Sequence, residues 1–89
     1  MAGVGVCRVN DKNNAGAAIT TGIGVVIVNG QPIAVKGSKV ADHPNHKGVT
    51  VKNGSGVVIA GGAGVAYVGC QDTCLHTQVA GSTTVFVGG

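Results

Sequence analysis

The stretch Gly22–Gly37, GIGVVIVNGQPIAVKG, recurs thirty-two residues on as Gly54–Gly69, GSGVVIAGGAGVAYVG. Half of the sixteen aligned positions are identical, among them Gly24-Val25-Val26-Ile27 against Gly56-Val57-Val58-Ile59. Chance in a Gly/Val-rich chain does not account for a match of that density without a gap. The start of the same phrase returns once more as GSTTVFVGG, Gly81–Gly89, which matches Gly54–Gly62 at Gly81, Ser82, Val85, Gly88 and Gly89.

Each copy reads as a strand, because β-branched residues are bounded by glycine. Asn29-Gly30 and Gly61-Gly62 are turn dipeptides suited to two-residue hairpins. No segment has a helical period, so the chain is expected to be all-β. It should form a single domain over 1–89, with strand units at about 20–37, 50–69 and 78–89. The strand cores are Val25-Val26-Ile27-Val28, Val57-Val58-Ile59-Ala60 and Thr84-Val85-Phe86-Val87. A strand with one wet face should alternate apolar and polar residues. These are apolar on nearly both faces, so the outer face is expected to meet a partner.

The core available to this fold is thin. The chain has 89 residues, 17 of them Gly, with one Phe, one Tyr and no Trp. A small domain of Val, Ala and Ile needs a staple: a metal, a disulfide or a partner chain. The net charge of +3 comes from scattered residues without a basic block. That, with the lack of aromatic stacking platforms, argues against nucleic acid as a partner. MAGVGVCRVND has neither the basic region nor the long apolar run of a signal peptide. Synthesis in the cytoplasm is expected, where cysteines act as metal ligands or idle thiols before disulfides.

The three histidines fall into two short clusters, His43 and His46 in DHPNH and His76 in CLH beside Cys74. H-x2-H and C-x-H pairs on loops suit a tetrahedral site of three imidazoles and one thiolate. Sulfur favours zinc, with iron or copper as alternatives. Cys74 or Cys70 could supply the thiolate, while Cys7 reads as a small apolar residue. Catalysis is not expected. A Cys–His nucleophile pair needs a third orienting group and a substrate cleft. GGAG at 61–64 opens no helix and precedes no Lys-Ser/Thr, so no phosphate loop or small-molecule substrate is indicated.

Taken together, the GS-phrased strand units and a Cys followed by His after the second unit resemble the proline-alanine-alanine-arginine (PAAR) repeat family, from about Arg8 to Gly89. YVGCQDTCLH resembles that family's Gly-Asp followed by Cys-Gly-His, with Cys70 at the acid's position and Cys74 at the cysteine's. RVND at 8–11 resembles its first Arg-Val-Gly-Asp. The naming motif is reduced to PIAV at 32–35 and GVAY at 64–67. The resemblance implies a small cone of β-hairpins with an approximate threefold repeat and one structural zinc near its apex, held by His43, His46, Cys74 and His76. It implies a non-enzymatic spike-tip protein. One chain would cap a homotrimeric β-helical spike of a phage tail or type VI secretion system and make transient contact with the target-cell envelope as it pierces. The alternatives are a free-standing zinc-binding module contacting protein or nucleic acid, and a β-repeat protein without metal.

Overall fold

Cys7, Ala34 and Ala66 hydrogen-bond to one another in a closed ring. Cys7 N–H donates to the Ala66 carbonyl, Ala66 N–H to that of Ala34 and Ala34 N–H to that of Cys7, each at 2.9 Å. All three are fully buried, and all three have small side chains, as close convergence of three chain segments requires. This ring organises a computed structural model in which residues 3–41 and 48–87 are described.

The threefold pattern continues outward from the ring in one direction. Arg8, Val35 and Tyr67 each accept a backbone hydrogen bond from the residue three further on, Asp11, Ser38 and Cys70. The third residue of each turn has positive φ: Asn10 at 80°, Gly37 at 91° and Gly69 at 103°. Such a turn selects Gly or Asn. Ile19, Val51 and Gln78 then pair back onto these turns. Their neighbours are the bridges Ile19 to Val40, Val51 to Asp72 and Gln78 to Asn13, which link the three units in a circle. Each unit closes at this end through a loop: Asn13–Ala17, Val40–Val49 and Asp72–His76, each with a hydrogen bond from its first N–H to its last carbonyl. The second loop carries residues 42–47, so His43 and His46 lie outside the described residues.

In the other direction the units end in three antiparallel strand pairs, two of them hairpins. Strand β2 (Ile23–Val28) pairs with β3 (Gln31–Ile33), and β4 (Ile59–Ala60) with β5 (Ala63–Gly64). Asn29 and Gly30, like Gly61 and Gly62, have positive φ at both turn positions, as the dipeptides led one to expect. The third pair is formed by strands distant in sequence: β6 (Phe86–Val87) pairs with β1 (Val4–Gly5). The N-terminal strand completes the third unit, because Val4–Gly5 offers the third pairing edge. Close approach explains two glycines here, since a Cβ at Gly64 would collide with the Ser55 carbonyl and one at Gly5 with that of Ser82.

The fold is thus all-β, built of short antiparallel hairpins, with no helix among the described residues. Two buried clusters are stacked within it. Val6, Val28, Ile33, Val35, Ala60, Val65 and Val87 pack at the hairpin end. Cys7, Ile19, Val40, Val49 and Val51 belong to the cluster at the loop end. At the hairpins, Val28, Ala60 and Val87 turn inward. Their neighbours Ile27, Ile59 and Phe86 stay 56, 56 and 54 % exposed. The apolar outer face read from the strand cores is therefore present, repeated at three equivalent positions.

Candidate metal centre

The loop Asp72-Thr73-Cys74-Leu75-His76 brings together the residues of greatest chemical interest. Asp72 N–H donates to the His76 carbonyl and Leu75 N–H to the Asp72 carbonyl, both at 2.9 Å, so the chain reverses within five residues. Leu75 reaches φ 70° to do so, a left-handed conformation that costs a branched side chain about 1 kcal/mol. The reversal places Cys74 and His76 on one side of the loop, with Sγ 3.0 Å from Nδ1.

Asp72 sits beneath them and is fully buried. Its Oδ1 accepts from the Cys74 and His76 amides at 3.2 and 2.9 Å and lies 3.0 Å from the Cys74 sulfur. Its Oδ2 accepts from Asn13 Nδ2 at 2.7 Å. Burial pushes this carboxyl up, but the hydrogen bonds from Cys74, Asn13 and the loop amides outweigh it, and it stays ionised below the usual aspartate range. The Cys74 thiol is raised, by desolvation and by the Asp72 carboxylate beside it. Cation binding there must displace the thiol proton.

One ligand atom from each of Asp72, Cys74 and His76 falls within 4.8 Å of the others, a group able to bind a metal ion. A tetrahedral zinc ion would hold a sulfur and a nitrogen about 3.5 Å apart. The Cys74–His76 pair needs only a small side-chain adjustment from its 3.0 Å contact to meet that spacing. Of the residues singled out from the sequence, Cys74 and His76 are brought together, while His43 and His46 are not described. The described residues that flank the latter two are Ala41 and Gly48. Close by, Thr50 and Thr73 exchange hydrogen bonds, Thr73 N–H to the Thr50 carbonyl and Thr50 N–H to Thr73 Oγ1.

The other thiols are elsewhere. Cys70 is buried in its turn, as the counterpart of Asp11 and Ser38. Cys7 is the ring residue, and burial, aided by the Asp11 carboxylate, pushes its thiol up to about 12, which leaves it unreactive at neutral pH. The first Arg-Val phrase forms a bidentate pair, with Arg8 Nε 2.9 Å from Asp11 Oδ2 and its second nitrogen 2.9 Å from Oδ1. Arg8 also reaches Asn29 Oδ1 at 3.1 Å, and Asn29 in turn bonds Ser82 and Thr84, tying the first unit to the third.

Asp72 was not singled out from the sequence. Its signal was available in the D-x-C-x-H spacing, which sets three donors on alternate residues. What hid it is that a buried aspartate is recognisable only by the loop amides it accepts from. No helix among the described residues is long and apolar enough to cross a membrane. No family model matches the chain, and no curated protein matches its sequence.

Proposed function

We propose that this chain is a spike-tip protein that caps a trimeric β-helical spike of a contractile injection machine. One chain seats on each trimer, and a zinc ion stiffens the opposite end. The observation that carries this reading is the threefold repetition of exposed apolar side chains at one end of the molecule. Ile27, Ile59 and Phe86 are equivalent in position and nearly equal in exposure, and beside them Val25 and Val57 are more exposed still, at 91 and 80 %. A homotrimer ends in three identical chains about a true threefold axis. A single chain with three similar apolar edges matches that axis, whereas three separate chains would crowd it. Full burial of each such side chain contributes about 1.5–3 kcal/mol.

A metal at the loop end would serve the same purpose. A narrow end has too few residues for a packed core, and metal binding free energy becomes folding free energy. Cys74 and His76 would be two ligands of the zinc, with His43 and His46 as the other two. The chemistry is structural: the ion cross-links loops, and no residue acts on a substrate. The genetic setting would be a phage tail or a type VI secretion system, with the envelope as the surface pierced.

Co-expression with a trimeric β-helical spike, followed by native mass spectrometry, tests the seat. One chain per trimer is expected, and Ile27→Asp/Ile59→Asp/Phe86→Asp should abolish the complex without unfolding the protein. A 3:3 complex, or a monomer with no affinity for such spikes, would sink the reading and favour a free-standing zinc module. Metal analysis tests the other end. Cys74→Ser and His46→Ala should each lose zinc, while Cys70→Ser should keep it.

A further inference from the structure

We infer that Asp72 is a positioning residue for Cys74 and His76 and not itself a metal ligand, and that Asn13 holds it in that role. This deepens the metal reading above and rests on it for its binding readout alone. A carboxylate offers about four lone-pair sites. On Asp72 both Oδ1 sites are taken by the Cys74 and His76 amides, and Oδ2 accepts from Asn13 and keeps one lone pair. With no exposed surface, the group can turn toward an ion only by giving up the amides that shape the loop.

The loop at Asn13 shows that the amide contacts form without any metal chemistry. Asn13 Oδ1 accepts from the Ala15 and Ala17 amides at 2.9 and 3.0 Å, as Asp72 Oδ1 does from Cys74 and His76. Ala15 and Ala17 carry no donor, so the shared device is a brace for the backbone. Asn13 cannot turn its amide over without losing both of those contacts, so its Nδ2 is committed to Asp72.

Exchanging the two side chains separates brace from ligand. In Asn13→Asp/Asp72→Asn, every hydrogen bond can be remade with donor and acceptor reversed between the pair. In Asp72→Asn alone, one amide nitrogen must face another, or the loop amides lose their acceptor. The probe is Co2+, titrated into metal-free protein and followed by its thiolate charge-transfer band. The single variant is expected to bind Co2+ about 10–100-fold more weakly, as loss of an orienting partner does. The exchange should restore affinity to within about fivefold, with the band where wild type has it. An exchanged protein as weak as the single variant, or a shifted band, would make Asp72 a ligand and overturn the inference.

A wild type that takes up no Co2+ would defeat the metal reading instead, and amide hydrogen exchange then decides the brace without metal. Protection at Cys74 and His76 should fall about tenfold in Asp72→Asn, or at Ala15 and Ala17 if Asn13 yields, and return in the exchanged protein. Equal protection in all three proteins would also overturn the inference.

Discussion

Loops 13–17 and 72–76 have one backbone and two different contents. Both span five residues and both place a left-handed residue fourth, Gly16 at φ 82° and Leu75 at φ 70°. In both, the first residue's side-chain oxygen accepts from the third and fifth amides. Yet one presents Ala15 and Ala17 where the other presents Cys74 and His76. The brace and the left-handed residue therefore belong to the fold, and the donor pair is an addition made on a loop the fold already builds. The two first residues touch, Asn13 Nδ2 to Asp72 Oδ2, so the plain loop also supports the reactive one.

Asn13→Ala should have the largest effect. It removes the acceptor for two amides and leaves the buried Asp72 carboxylate without one of its donors. A cost of about 3 kcal/mol is expected, measured by urea denaturation of the metal-free protein. A cost below about 1 kcal/mol would mean that the two loops are independent.

Gln78 sharpens the comparison next. It pairs with Asn13 in the backbone, stands where the other units have Ile19 and Val51, and is fully buried. Neither atom of its side-chain amide hydrogen-bonds to a protein group among the described residues. Gln78→Leu should stabilise by about 1–2 kcal/mol, in line with the cost of an unmade buried hydrogen bond. A lower melting temperature would show that the amide has work to do.

Reciprocal changes at the left-handed position should have smaller effects of opposite sign. Leu75→Gly removes about 1 kcal/mol of backbone strain, partly offset by the freer unfolded chain. Gly16→Leu adds similar strain in open space, since a Cβ there meets nothing within 4 Å. At about 4–8 °C per kcal/mol for a domain of this size, calorimetry resolves both. Equal shifts of the same sign would mean that the loops differ in backbone after all.

Acid should distinguish the loops least. The Asp72 carboxyl is held below its unfolded value, so its contribution to stability is complete above about pH 4 and is lost as pH falls through its folded value. Asn13 does not titrate. Asp72→Asn in the exchanged background moves the acid to position 13, and the acid-dependent loss should move with it, retained in size within about twofold. Its disappearance there would show that the Asp72 surroundings, and not the shared brace, lower the carboxyl.

Much of the architecture was legible because glycine and β-branched residues act locally. The strand cores, the Asn29-Gly30 and Gly61-Gly62 turns and the all-β class follow from conformations that neighbouring residues impose on one another. The exposed Ile27, Ile59 and Phe86 were legible in kind, since a small chain cannot cover both faces of such strands. The pairing of Val4–Gly5 with Phe86–Val87 was not, because a contact between strands distant in sequence leaves no local pattern. Nor was the equivalence of Cys7 with Ala34 and Ala66, whose shared property is a place in a hydrogen-bonded ring. For the candidate metal centre, the sequence singled out Cys74 and His76 by residue type and spacing. Only the tertiary structure set Asp72 and Asn13 beneath them. A buried polar side chain takes its role from the partners that fill its lone pairs, and those partners come together only when the units close into a circle.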